Sequence, residues 1–421
     1  MIELVLLLIC CGLMSLAFIM FLRDSASITL YFTLLCLFLF FGWFGLIRTL
    51  ASEVSLVGSD EKLSRLISSI YPNVSFVDEK YILFLVFLFF LYASISFFLT
   101  ATYYKFRYNP SPNLSGYRGI FLLLVMILFS SFFTIRESVT SIFISNLSLY
   151  SEIAKGIPNY SLHVFLNKFF IFVFIFALHV QLEKRSGLWF LLIVFTLFMG
   201  FLGQRNEVFT LFICLLIYFL TRVSNIKFFS LIVLVLVTIR GIELYRGSTD
   251  FVFFEILNFF PLLWGSESVA SSLSLQSIFY EPKSYFEDYS FFLWFVDSLP
   301  FVNIGDYPSS YEVYKSYFFP GDPRGYSINF ITGMFYSLGP FFPFLLVLLF
   351  FILYMGIIFL RALSLKIGLP ALINPIMIFA MVNTILLTRN GLEGFRPMIL
   401  HGFIFMPFCL TAYLLIFSRK R

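Results

Sequence analysis

The sequence predicts an all-α polytopic membrane protein of about eleven (10–12) transmembrane helices, with one large extracytoplasmic loop carrying short re-entrant or interfacial helices. Three observations lead there. Of 421 residues, 60% are hydrophobic and only 12% are charged, too few to clothe a soluble core of this length. Apolar runs close to the ~20 residues that cross a bilayer as helix recur along the whole chain. Basic residues gather in alternate short loops, the signature of a cytoplasmic face.

The apolar runs lie near 2–22, 28–47, 81–103, 119–135, 163–181, 188–203, 208–221, 228–245, 341–360, 368–388 and 397–418. The start, MIELVLLLICC, has no basic region and carries Glu3, so it reads as a retained first span rather than a signal peptide. The phenylalanine excess, 62 residues, reads as lipid-facing bulk. All five cysteines (Cys10, Cys11, Cys36, Cys214, Cys409) fall inside apolar runs, so neither a disulfide nor a thiolate metal site is expected. No metal or cofactor is expected.

Grouping alternate loops fixes an orientation. Segments 23–27, 104–118, 182–187, 222–227, 361–367 and the tail 419–421 hold 13 basic residues against two acids, Asp24 and Glu183. This face is read as cytoplasmic, with the C-terminus on it; an odd number of spans then puts the N-terminus outside. The net charge of +5 is mostly this anchor, and no basic run suggests nucleic acid. The chain reads as a single membrane domain, 1–421, in which 247–340 forms the large outer loop. That loop includes two interrupted apolar pieces, 251–264 and 291–302. In segment 60–71, Leu63, Leu66, Ile67 and Ile70 share one helical face, which predicts a short helix on the membrane surface.

Charges at span ends are the chemically informative residues, because each is costly at membrane depth. Gly203-Gln204-Arg205-Asn206-Glu207 joins two short spans. Arg205 is a guanidinium for an anionic group, or else half of a plain turn paired with Glu207. Arg240, Glu243 and Arg246 fall within an arc of about 120° on a helix, Glu243 between the arginines. They form a structural ladder, a ligand site held by Glu243, or both. Arg389 and Arg396 flank a tight outer hairpin, Pro397 opens the last helix, and His401 lies inside it. In the large loop, Glu267 is a candidate base, and Arg324, Tyr326 and Asn329 lead into the next span. Most acids in such a loop are simply solvated, and an intramembrane histidine is more often a packing residue than a base.

Arg205, Arg240, Arg246, Arg324, Arg389 and Arg396 all map to the outer face. A monoanion does not need so many cations; a pyrophosphate, with two or more charges and many acceptor oxygens, does. Tyrosine and tryptophan in the same loops suit carbohydrate. Residue type and topology together suggest a lipid pyrophosphate carrying a sugar.

At these residues the chain resembles the Wzy O-antigen (oligosaccharide repeat unit) polymerases of Gram-negative bacteria. The resemblance covers the whole length. It rests on the many spans, the Gly203-Gln204-Arg205 turn, the Arg240–Arg246 segment opening a large outer loop, and Gly325-Tyr326-Ser327 with Gly333 and Gly339-Pro340 before the next span. The RX10G pattern of some members is absent from the outer loops, so their loop mechanism does not transfer.

The resemblance implies a glycosyltransferase on the periplasmic face of the bacterial inner membrane. Its donor and acceptor are undecaprenyl-pyrophosphate-linked glycans, and a Wzz-type chain-length regulator is its expected partner. The residue reading fits that chemistry, with pyrophosphate bound by Arg205, Arg240, Arg246, Arg389, Arg396 and Arg324. Gln204, Glu243, Tyr326 and Asn329 are then supporting residues, with Glu267 and His401 as candidate bases. The alternatives are an O-antigen ligase and a lipid-linked oligosaccharide flippase. The first typically places a histidine in the large outer loop, which has none here; the second usually has short loops.

Overall fold

A computed structural model describes residues 119–144, 160–180, 186–202, 204–219, 224–247, 290–297, 307–318, 328–395 and 397–418, with scattered positions at 12, 87–88, 91, 271, 274–275 and 278. Apart from those scattered positions, the first three apolar runs, the 60–71 helix and the 251–264 piece lie outside the described residues. Among the described residues the regular structure is helical and contains no strand. The helices are α1 (Gly119–Ile144), α2 (Tyr160–His179), α3 (Ser186–Phe201), α4 (Arg205–Phe219) and α5 (Asn225–Gly247). After them come α6 (Phe291–Asp297), α7 (Ser310–Phe318), α8 (Phe330–Leu338), α9 (Phe342–Lys366) and α10 (Ile373–Asn390). A π-helical segment, Pro397–Phe405, then runs into α11 (Met406–Ser418).

Each apolar run from 119 onward coincides with one of these helices. Four stretches are long and apolar enough to cross a membrane: Gly119–Arg136, Leu162–His179, Phe342–Lys366 and Leu392–Ile416. Ser186–Phe201, Asn206–Phe219 and Pro370–Thr384 are apolar but shorter. Within the 291–302 piece, the described residues form the seven-residue α6.

The chain divides into two compact units, each taken separately below. Unit 1 comprises 1–101, 260–354 and 383–397; unit 2 comprises 102–259, 355–382 and 398–421.

In unit 2, α2 is the central helix. Its apolar stretch is 72% buried, against 33% for that of α1, so α2 meets protein on most sides. The run Phe169–Leu178 is wholly enclosed, and Phe170 stacks on Phe195 of α3 at 4.4 Å between ring centroids. Phe129, Phe190, Phe359 and Phe408, by contrast, are exposed, as suits an apolar solvent. Phenylalanine is thus both the core of the bundle and its outer coat, not lipid-facing bulk alone. One end of the bundle is closed by Tyr218, whose hydroxyl donates to the Leu178 carbonyl at 2.9 Å. Another closure is Tyr413, whose hydroxyl donates to the Gly119 carbonyl at 2.7 Å. Both bonds satisfy carbonyls that lipid could not.

The ends of α9 and α3 obey backbone rules. After α9, Gly368 takes φ 76°, and the N–H groups of Gly368 and Leu369 donate back to Leu365 and Ser364. This is the Schellman closure that glycine permits, and Pro370 prevents continuation. After α3, the Gln204 N–H donates to the Met199 carbonyl at 2.8 Å, and the Gln204 carbonyl accepts from Val208 of α4 at 3.5 Å. Gln204 is therefore the last link of one helix and the N-cap of the next.

In unit 1, short helices are fastened by polar side chains. Ser309 and Glu312 form a capping box at the start of α7: the Ser309 N–H donates to the Glu312 carboxylate at 2.8 Å, and the Glu312 N–H donates to Ser309 Oγ at 3.2 Å. Asn329 caps α8, its Oδ1 accepting from the Ile331 N–H at 3.1 Å. The 3₁₀ turn Leu392–Gly394 sits at the expected Arg389–Pro397 hairpin, with Phe395 between Phe330 and Phe350.

Candidate functional site

One end of unit 2 collects polar groups from five helices. The first is α1, whose Ser131 Oγ donates to Asn167 Oδ1 at 2.6 Å. On α2, His163 Nδ1 lies 3.0 Å from both the hydroxyl and the carbonyl of Ser131. Asn167 Nδ2 reaches His163 Nε2 at 3.0 Å and donates to Gln204 Oε1 at 3.0 Å. Gln204 also hydrogen-bonds His163. Ser131, His163, Asn167 and Gln204 are all buried. Buried amide and imidazole groups are tolerated only when partnered in this way.

Charges surround this network. Lys168, the residue after Asn167, interacts electrostatically with Glu207 in the first turn of α4. Arg240, near the end of α5, is buried. Helices α4 and α5 pack together and are joined by a short connection, so they run antiparallel. At 1.5 Å per residue, Arg205 lies about 21 Å above the connected end of α4 and Arg240 about 22 Å above that of α5. The two positions are therefore level. A side chain built at Gly200, near the end of α3, would meet Ile242 of α5 at 3.6 Å, which places the same ends together.

His401 joins this end of unit 2 through an edge-to-face contact with Phe165, 5.2 Å between ring centroids. It lies in the π-helical segment Pro397–Phe405. Such segments are often found at functional sites, because the widened turn frees backbone and redirects side chains.

Of the residues singled out in the sequence, Gln204, Arg205, Arg240 and His401 belong to segments that meet here. Arg205 is the first residue of α4, while Glu243 and Arg246 ride in the last turns of α5. Their side chains, like that of Arg389 in α10, lie outside the described residues. Glu267, Arg324, Tyr326 and Arg396 lie wholly outside them. Arg389 belongs to unit 1. Asn329, also in unit 1, is fully buried and engaged with protein: its N–H donates to Ser274 Oγ at 2.9 Å and its Nδ2 to Ser271 Oγ at 3.3 Å. Its position is explained by the start of α8 without a ligand.

Sequence reasoning passed over Ser131, His163, Asn167 and Lys168. A signal was present. His163, Asn167 and Lys168 stand at i, i+4 and i+5 in an otherwise apolar run, which puts them on neighbouring faces of one helix at one depth. It also passed over Ser310 and Glu393 of unit 1. The Glu393 carboxylate accepts from the Ser310 N–H, and from Ser310 Oγ at 2.6 Å.

The polar end of unit 2 thus brings together helix ends that carry Arg205, Glu207, Arg240, Glu243 and Arg246 in sequence, with Lys168 of α2 interacting with Glu207. Chemically, it can bind an anion and hold amide donors beside it. Comparison with protein-family models, curated proteins and solved structures finds no match to this chain.

Proposed function

We propose that this protein is an O-antigen polymerase: a glycosyltransferase that joins undecaprenyl-pyrophosphate-linked oligosaccharide repeat units on the periplasmic face of a bacterial inner membrane. The observation that supports the reading is that the segments bearing Gln204, Arg205, Arg240 and His401 meet at one end of unit 2, beside the buried network that holds Gln204. In the full topology of about eleven spans, this end faces the periplasm and the 247–340 loop lies on the same side of the membrane.

In the reaction, a hydroxyl of the acceptor's non-reducing sugar attacks C1 of the donor glycan. The C1–O bond to pyrophosphate breaks, undecaprenyl pyrophosphate leaves, and the hydroxyl proton passes to a base. Charge grows on the pyrophosphate as the bond breaks. Guanidinium groups already fixed in a water-poor site stabilise that charge without reorganising. Arg205, Arg240 and Arg246 take this role in unit 2. Arg324, Arg389 and Arg396 are further candidates by sequence. His401, and more remotely Glu267, would accept the proton.

Deleting the gene and resolving lipopolysaccharide by electrophoresis tests the reading. Loss of the ladder with retention of a single capped repeat is expected. Loss of all O-antigen, the single repeat included, would instead indicate a ligase or a flippase.

A further inference from the structure

The buried amide network reaches the candidate site through Gln204. This residue links α3 and α4 through its backbone: its N–H closes α3 on Met199 and its carbonyl begins α4 at Val208. Any rotation of Gln204 therefore carries the first turn of α4, and Arg205 with it. Backbone bonds alone hold such a junction loosely, since the second of them is 3.5 Å long.

The side chain of Gln204 supplies the missing restraint. It is enclosed and bonded to both Asn167 and His163 of α2. Asn167 is held in turn at each of its polar atoms. Ser131 donates to its Oδ1, and its Nδ2 hydrogens serve Gln204 Oε1 and His163 Nε2. His163 is oriented by Ser131 through Nδ1. The chain of bonds thus runs from α1 through the central helix to the junction. An apolar bundle needs none of this for stability, because well-packed aliphatic side chains serve as well as a buried polar network. What such a network adds is a single register.

A charge interaction reaches the same turn from α2. Lys168, adjacent to Asn167, interacts electrostatically with Glu207 in the first turn of α4. The same stretch of α2 therefore positions the junction and answers its acid.

We propose that Asn167 and His163 are positioning residues that hold the Gln204–Arg205 junction in the one register that presents it to a pyrophosphate headgroup. This deepens the polymerase reading and rests on it for the identity of the ligand.

The test uses the full chain in lipid nanodiscs, with the five native cysteines replaced by alanine and a nitroxide attached through Asn206→Cys, an exposed position. Two quantities are read: nitroxide mobility, and the Kd for inorganic pyrophosphate, followed by undecaprenyl pyrophosphate to separate the free ion from the lipid headgroup. Asn167→Leu should raise mobility and weaken binding about tenfold, the scale of one lost hydrogen bond to the junction. The exchange Asn167→Gln with Gln204→Asn keeps two amides and their combined reach, and should restore both values to within about twofold. Arg205→Ala should abolish pyrophosphate binding without changing mobility. If Asn167→Leu does not fold, Gln204→Leu reads the same contact from the other side. Wild-type mobility and wild-type affinity in these leucine variants overturn the positioning role. Absence of pyrophosphate binding in the wild type overturns the ligand, while the mobility data still decide the positioning.

Discussion

In unit 1, polar side chains mainly answer the backbone at the starts of short helices and at a tight turn; in unit 2, they bond chiefly to one another. Asn329 caps α8, and Glu393 receives the first N–H of α7. Gly391 takes φ 73°, and a Cβ there would sit 2.8 Å from both Glu393 Oε2 and Ile328 Cγ2, so the turn requires glycine. Each of these groups answers a backbone need of a short helix or a tight turn. In unit 2, Ser131, His163, Asn167 and Gln204 join three helices and answer no such need, apart from the junction at Gln204 itself. The difference shows how to separate structural from functional polarity in an apolar protein. Where the backbone already accounts for a polar group, stability explains it. Where polar groups bond to one another beside charged helix ends, a ligand site is the reading to test.

That contrast can be broken experimentally, beginning with the largest effect. Arg240→Met should lower polymerisation in membrane vesicles by on the order of 10²–10³-fold, the scale of losing one preorganised group on developing charge. Arg240 also interacts within the protein, so the thermal midpoint should fall, and activity is compared at equal amounts of folded protein. Full activity in this variant would return Arg240 to the structural class.

Gly391→Ala should destabilise the protein by about 3 kcal/mol, combining a backbone region open almost only to glycine with two close contacts. Thermal unfolding in detergent measures it, and a midpoint equal to wild type would show that the turn relaxes. Glu393→Ala should cost about 2 kcal/mol by leaving Ser310 without its acceptor, with Glu393→Gln recovering roughly half. Equal loss in both variants would mean that charge at the α7 start, rather than hydrogen bonding, is the source.

Asn329→Ala removes a cap and should cost about 1 kcal/mol while leaving pyrophosphate affinity unchanged. A weakened affinity would move Asn329 to the ligand class and blur the distinction between the units. Ser309→Ala is the smallest change, about 0.5–1 kcal/mol, since its capping box is exposed to solvent. Its signature is a lower midpoint with normal activity.

Much of the helical order was legible in the sequence, because lipid-spanning helices need long apolar runs and little else. The runs at 119–135, 163–181 and 341–360 each announce a helix that is long and apolar enough to cross a membrane. The Gln204–Arg205 junction was legible because only four polar residues, Gln204 to Glu207, separate two apolar runs and leave no room for an ordinary loop. His163, Asn167 and Lys168 were harder to see. Three polar residues do not interrupt an apolar run of this length, and their meaning depends on which helices face them. The two roles of phenylalanine were hidden for the same reason: hydropathy scores Phe170 and Phe190 alike, although the first stacks on Phe195 and the second is exposed.

The sequence by itself determined that this is an apolar, helical protein, where its helices run, and which charges stand at their ends. These follow from composition and from the 1.5 Å rise of a helix, which are local quantities. Only the tertiary structure decided that α2 is the enclosed helix, that Asn167 holds Gln204, that the ends of α3, α4 and α5 meet, and that Asn329 belongs to a helix cap. Those facts depend on which helix faces lie against one another. In a chain that is apolar on nearly every face, periodicity leaves that choice open, and packing with buried hydrogen bonds makes it.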